Sequence, residues 1–163
     1  MSLLAWCQWL QHTPVAVAVS ESNWLFAVIE GSHILALSLS VGMIVLLDIR
    51  LLGLAFRTEA ASRIMRQLMP WAMTGFAIMF ITGIFLFITQ AGKAYGNVFF
   101  RTKLISLLLL GINAAVYHKK FYPKMADWNL AQTAPAGARF CAGFSLLLWI
   151  VVIVCGRTMA YEF

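Results

Sequence analysis

The sequence predicts an all-α integral membrane protein: a bundle of four transmembrane helices preceded by a short N-terminal interfacial helix. Of its 163 residues, 62% are hydrophobic and only 11% are charged, and the mean hydropathy is +0.85. This composition excludes the water-soluble classes of protein. A membrane-spanning helix needs about 20 mostly apolar residues. Four spans with short connections therefore fill the chain, which we expect to form a single transmembrane domain over residues 1–163, with no extramembrane catalytic module.

The first element is predicted to be a short helix at the membrane surface, over residues 3–12. The segment Met1–Ser20 contains no Lys or Arg, so it lacks the charged start of a signal peptide. Trp6 and Trp9 combine an apolar ring with a polar N–H group, which suits the headgroup level of a bilayer. Pro14 is expected to end this helix.

Four longer apolar stretches follow, and each is expected to be a helix. They are apolar on nearly all sides, whereas the strands of a membrane β-barrel alternate between polar and apolar residues. Pro70 is expected in the first turn of the second span, where its missing N–H group leaves no helical hydrogen bond unmade. The predicted spans are residues 24–47, 68–89, 98–118 and 139–160.

The basic residues predict the orientation of the bundle. Eight of the 12 Lys and Arg residues lie in or beside the connections between spans one and two and between spans three and four. Basic residues favour the cytoplasmic side, so we expect a multi-pass protein of the bacterial inner membrane with both termini in the periplasm. The net charge of +6 then reflects topology and attraction to anionic lipid, so the bilayer is the expected partner and a nucleic acid is not. The eight residues are Arg50, Arg57, Arg63, Arg66, Lys119, Lys120, Lys124 and Arg139.

The first span carries four polar residues on one side. At about 100° per residue, Glu30, His33, Ser40 and Asp48 fall within an arc of roughly 80°, which we expect to face the bundle interior. An ionisable group inside a membrane costs a few kcal/mol unless it has a partner or a function. These residues are therefore candidates for a functional site.

Depth in the membrane divides the candidate residues into two clusters. His33, Glu30 and Lys103 lie at similar depths in the outer half, and Arg157 near the end of the fourth span can act as a counter-charge to Glu30. His33 and the residues at the cytoplasmic end differ in depth by about 10 Å or more. The second, weaker cluster comprises Asp48, Arg50, Trp71, Asn113 and His118.

The two span histidines each allow two interpretations. His33 is either a metal ligand or proton carrier, or a neutral imidazole hydrogen-bonded to Glu30 or to a Ser on a neighbouring helix. The residues alone leave both open. His118, beside two lysines, is interpreted as an interfacial residue that caps the end of its helix.

Several short motifs resemble an uncharacterised bacterial family of four-helix inner-membrane proteins. A more distant likeness is to the four-helix protoporphyrinogen oxidases, in which a first-span histidine is associated with a b-type haem; His33, Gly42, Arg50 and Lys103 resemble the pattern of that family. The membrane parts of CopD-type copper-resistance proteins have a similar first span. Residues 46–53 differ from the oxidases, so the resemblance concerns the site and not the reaction. The motifs are Glu30–His33, Leu47–Gly53, Pro70-Trp71, Thr82-Gly83 and Asn97–Lys103, together with Asn113 and His118.

Three functions are compatible with these residues. The first is a haem b-binding redox protein, in which His33 is the axial ligand, Glu30 fixes its tautomer, and Lys103 and Arg157 bind propionates or supply a second ligand. The second is a proton or copper transport protein, and the third is a non-catalytic accessory subunit of a larger membrane complex. The expected protein partners are a periplasmic redox or metal-binding protein or such a complex, and membrane oxidoreductase activity is a hypothesis without assigned catalytic residues.

Overall fold

A computed structural model of the protein describes residues 3–131 and 133–162. Within these ranges it is helical and has no β-strand, and four of its helices are long and apolar enough to cross a membrane. The predicted all-α, four-span architecture is therefore confirmed. The other residues of the predicted domain, Met1, Ser2, Gln132 and Phe163, lie outside the described ranges. The elements are α1 (Leu3–Gln11), α2 (Pro14–Glu21), α3 (Asn23–Leu52), α4 (Ala61–Gly96), α5 (Val98–Lys120), a 3-10 turn (Tyr122–Lys124), α6 (Met125–Trp128) and α7 (Ala136–Glu162).

The four long helices form two antiparallel pairs. α3 packs along α4, and α5 packs along α7. Contacts between α3 and α7 join the pairs, whereas α4 and α5 touch each other very little. We call the end with the α3–α4 and α5–α7 connections the basic end, because it carries most of the Lys and Arg residues. The opposite end, with both chain termini, is the terminal end.

Local signals define the limits of α3, which is five residues longer at its C-terminus than predicted. The Ser22 hydroxyl accepts a hydrogen bond from the Leu25 N–H group (3.2 Å) and caps the start of the helix. At the other end Gly53 adopts a left-handed conformation (φ 73°), and its N–H group bonds to the Arg50 carbonyl (3.0 Å). Only glycine adopts this φ without steric cost, so Gly53 ends the helix.

The second span begins earlier than predicted, and the placement of Pro70 in its first turn was wrong. α4 begins at Ala61 because Asn129, from the α6–α7 connection, supplies its cap. The Asn129 carbonyl accepts from the Ala61 N–H group (3.1 Å) and its side-chain oxygen accepts from the Ser62 N–H group (2.9 Å). Pro70 therefore lies inside the helix, which continues through it.

The N-terminal helices are attached to α4 where α4 bends. Gln90 has non-helical dihedral angles (φ −133°, ψ 22°), so the backbone near it loses helical partners. The Gln11 amide replaces two of them: its oxygen accepts from the Gly92 N–H group (3.1 Å) and its nitrogen donates to the Thr89 carbonyl (3.1 Å). The sequence analysis did not predict α2, in which Pro14 occupies the first turn.

The α3–α4 interface has a regular antiparallel register. Ser40 of α3 faces Gly75 of α4, where a Cβ atom would lie 2.3 Å from the Ser40 hydroxyl oxygen. His33 faces Thr82, and the imidazole Nδ1 atom is 3.0 Å from the Thr82 hydroxyl oxygen. The two pairs are seven residues apart on both helices, which is two helical turns. The close approach at Gly75 therefore fixes the register that brings His33 to Thr82.

Candidate functional site

His33 lies half-buried between α3 and α4. Its Nδ1 atom is 3.0 Å from the Thr82 hydroxyl oxygen. The ring edge lies against Gly83, where a Cβ atom would come within 3.2 Å of the imidazole Cε1 atom. Glycine at this position therefore leaves the space that the imidazole occupies.

The hydrogen bonds of Thr82 determine which nitrogen of His33 carries the proton. A hydroxyl group has one proton to donate, and Thr82 donates it to the Ile78 carbonyl (2.7 Å). Towards His33 the Thr82 oxygen is therefore the acceptor, and Nδ1–H is the donor. The neutral imidazole then has its lone pair on Nε2, the atom that can bind a metal or accept a proton.

Glu30 does not take the role that was predicted for it. The sequence analysis assigned Glu30 to the bundle interior, as the acceptor that fixes the His33 tautomer, but its side chain is exposed at the bundle surface. Thr82 makes that hydrogen bond instead. The 100° spacing placed Glu30 at the edge of the polar arc, and the close packing of α4 covers only the part of the arc that contains His33 and Ser40.

Of the other two residues in the predicted outer cluster, the structure brings only Lys103 to His33. The Lys103 ammonium group is within electrostatic range of the imidazole. It lies beside Gly156 of α7, where a Cβ atom would be 3.7 Å from Nζ. Arg157 is exposed, and its guanidinium group lies over the Tyr161 ring, 5.1 Å from the centroid, rather than beside Glu30.

The second predicted cluster separates into three parts. Asp48, Asn113 and His118 line one cavity of about 320 Å³ between the four long helices. Trp71 lies outside it on the bundle surface, with 60% of its side chain exposed. Arg50 is fully buried but faces away from the cavity towards the connections at the basic end.

Arg50 organises those connections. Its Nε group donates to the Glu59 carbonyl (2.9 Å), and its Nη2 group donates to the Ala131 carbonyl (3.0 Å). One guanidinium group thus joins the α3–α4 and α6–α7 connections. Arg50 is therefore placed as a structural residue, and the sequence analysis could not distinguish this role because its partners are backbone atoms far along the chain.

The cavity has apolar walls and a polar end. The Phe76 and Trp149 rings stack on each other with centroids 5.8 Å apart and form part of the wall near the middle of the bundle. At the basic end, Asp48 and Tyr117 are 5% and 7% exposed, and one carboxylate oxygen of the first and the hydroxyl group of the second have no hydrogen-bond partner among the described residues. Ser145, which also lines the cavity, hydrogen-bonds to the Asp48 carboxyl group.

Sequence analysis missed Thr82, Tyr117 and Ser145 as site residues. Thr82 belonged to a motif that carried the family resemblance, but a threonine in a membrane helix usually bonds to its own backbone. Tyr117 lay next to the predicted end of the third span, at residue 118, and was not considered as a site residue. The signal that could have identified Thr82 is its seven-residue spacing from Gly75, which matches the spacing of His33 and Ser40.

The chain matches one known family over most of its length. Residues 19–162 match the model described as "Family of unknown function (DUF6644)". The chain belongs to this family. The predicted likeness to an uncharacterised family is confirmed to that extent. Searches of the curated proteins and of the solved structures give no match.

Proposed function

We propose that this DUF6644 protein is a membrane-embedded redox protein that binds a b-type haem, with His33 as an axial ligand. The observation that carries the proposal is the contact of His33 Nδ1 with the Thr82 oxygen, whose own proton goes to the Ile78 carbonyl. We infer from it that Nδ1 carries the imidazole proton and that Nε2 is free to bind a metal. Histidines that ligate metals typically donate their other ring N–H group to a fixed acceptor. Lys103, within electrostatic range of His33, would supply a cation for a propionate group. The bound haem would supply one-electron chemistry.

The donor groups of the chain support haem over a copper ion. A porphyrin provides four nitrogen ligands itself, so a haem site needs one axial side chain from the protein. A copper ion held by the protein alone needs several. In residues 3–131 and 133–162, no three His, Cys, Asp or Glu side chains come together as a metal site.

We further propose that the protein lies in the bacterial inner membrane with the basic end in the cytoplasm. The support is the distribution of the basic residues: eight of the 12 Lys and Arg residues lie at the basic end. Both termini then lie in the periplasm, where a redox protein or a larger membrane complex would be the electron partner. Alkaline phosphatase fused to the C-terminus should be active, whereas a fusion within residues 53–60 should be inactive.

The test of haem binding is an absorption spectrum of the detergent-solubilised protein, oxidised and after reduction with dithionite. We expect a Soret band and a sharpened α band on reduction. His33→Ala should lose the haem, whereas the matched control His118→Ala should keep it. Thr82→Val removes the acceptor for Nδ1–H and should weaken haem binding about 10- to 100-fold, as measured by haem titration of the apoprotein.

Three results would reject the proposal. One is a wild-type protein that remains colourless after expression with a haem precursor and after haem titration. Another is an unchanged Soret band in His33→Ala. The third is a colourless protein that copurifies at constant stoichiometry with a larger complex, which would instead support the accessory-subunit interpretation.

A further inference from the structure

A buried carboxyl group faces the cavity at the basic end without a counter-charge. The ion pair between Arg63 and Glu59 lies at the bundle surface and does not involve Asp48. Arg50, two residues from Asp48, donates through Nε and Nη2 to loop carbonyl groups, and its Nη1 group has no hydrogen-bond partner among the described residues, so no Arg50 group bonds to Asp48. Burying an ionised carboxylate without a cation or full hydrogen bonding costs free energy, so the Asp48 site is electrostatically incomplete as it stands.

The polar residues that line the cavity with this carboxyl group, Asn113, Tyr117, His118 and Ser145, offer hydrogen-bond acceptors as well as donors. The Asn113 amide nitrogen donates one of its two N–H groups to the Cys141 carbonyl (2.9 Å), which leaves its oxygen and its second N–H group. Asp48 presents an unpartnered carboxylate oxygen, and Tyr117 presents a hydroxyl group that can accept or donate. A ligand head group that fits this set is a hydrogen-bond donor, and a positively charged donor also supplies the missing charge.

The rest of the cavity determines what the head group is attached to. Its walls are apolar and include the stacked Phe76 and Trp149 rings. A volume of about 320 Å³ corresponds to roughly ten water molecules, which is the space of a small organic molecule and not of a whole phospholipid. The occupant therefore combines a small apolar body with a cationic donor.

The cavity is open towards the bilayer between α4 and α5, which are the neighbouring long helices with the least contact. Gly111 and Ala114 of α5 line the cavity and are also exposed on the bundle surface. A Cβ atom at Gly111 would meet no other atom within 4 Å, so the opening there is not filled by a neighbouring side chain. A lipid-soluble molecule can reach the cavity from the side without crossing the bundle.

We propose that this cavity binds a small lipophilic amine in its protonated form, which enters from the bilayer between α4 and α5. The ammonium group donates hydrogen bonds to the Asp48 carboxylate and the Tyr117 hydroxyl oxygen. The apolar body lies along the wall formed by Phe76 and Trp149. This site is distinct from the His33 site, and amine binding to it does not require a bound haem.

The experiment compares a cationic probe with a neutral molecule of the same shape. The full-length protein in lipid nanodiscs is titrated calorimetrically with 4-phenylbutylamine and with 4-phenylbutanol, and empty nanodiscs provide the partition background. We expect the amine to bind about ten- to a hundredfold more tightly than the alcohol, the difference made by a charge-assisted hydrogen bond. Asp48→Asn should abolish this preference, whereas the matched control Asp127→Asn, at an exposed carboxyl group, should keep it.

A second variant keeps the proposal testable if Asp48→Asn fails to fold, as judged by helicity and size-exclusion profile. Gly111→Phe leaves the carboxyl group intact and places a ring at the lateral opening, so amine binding should weaken about tenfold or more. Equal affinities for amine and alcohol, or unchanged amine binding in Asp48→Asn or Gly111→Phe, would overturn the proposal. None of these titrations depends on a haem signal, so the failure of either proposal is seen independently.

Discussion

Gly75→Ala is expected to weaken the α3–α4 interface, which fixes the position of His33. The new Cβ atom would lie 2.3 Å from the Ser40 hydroxyl oxygen, 3.0 Å from the Ala36 carbonyl oxygen and 3.2 Å from the Ser40 nitrogen. Two of these atoms are backbone, so relief requires the helices to separate. Overpacking of this kind costs about 1–3 kcal/mol.

The net effect also includes the helix propensity of alanine. Replacing glycine by alanine inside a helix gains about 1 kcal/mol. Because backbone atoms resist displacement, we place the steric cost at the upper end of its range and expect a net loss of about 2 kcal/mol in the free energy of unfolding. Unfolding by SDS in mixed micelles, followed by circular dichroism, measures this loss.

Gly42→Ala provides the matched control for this substitution. Gly42 lies inside α3, and a Cβ atom there would meet nothing within 4 Å. It should leave stability unchanged or raise it by up to about 1 kcal/mol. Ser40→Gly should partly rescue Gly75→Ala because it removes the nearest clashing atom. Equal stabilities of Gly75→Ala and Gly42→Ala would refute the register described for α3 and α4.

Two other substitutions test the contacts that hold the ends of the bundle. Gln11→Ala removes both hydrogen bonds to the bend in α4 and should lower the free energy of unfolding by about 1–3 kcal/mol in the same SDS assay; Gln8→Ala, at an exposed site, should not. Arg50→Lys cannot reproduce the two guanidinium bonds to loop carbonyls and should increase the rate of proteolysis at the basic end severalfold, whereas Arg63→Lys, with its side chain 63% exposed, should leave it unchanged. If Gln11→Ala or Arg50→Lys behaves like its control variant, the role assigned to that residue is contradicted.

The four spans were predictable because each depends on the apolar composition of about 20 consecutive residues and not on tertiary contacts. Their limits were less predictable. The end of α3 is set by Gly53, a signal that is local in the sequence. The start of α4 is instead set by Asn129, whose side chain accepts a hydrogen bond from the Ser62 N–H group 67 residues earlier in the chain. Likewise, the attachment of α1 depends on Gln11 meeting a bend almost 80 residues further along the chain.

The candidate site was predictable in part for the same reason. Helical spacing placed His33 and Asp48 on one side of α3, and depth brought Lys103 near His33. Spacing could not determine which neighbouring helix covers which part of that side. The structure shows α4 covering His33, whereas Glu30 remains at the surface and Asp48 faces the central cavity.

Met79 contacts both proposed sites, so we expect ligand binding at one site to change ligand affinity at the other. Met79 lines the cavity, and its carbonyl oxygen is 3.2 Å from the Thr82 hydroxyl oxygen, the atom that we infer accepts the Nδ1–H hydrogen bond of His33. An amine that displaces Met79 would therefore shift the hydrogen-bond acceptor of the His33 imidazole. Linkage requires that any change in haem affinity caused by the amine equals the change in amine affinity caused by haem. Because this equality holds for any route, the Gly111 variant locates the coupling: a factor that disappears in Gly111→Phe arises from amine bound in this cavity, whereas a factor unchanged in Gly111→Phe would show that the probe acts on the haem by another route.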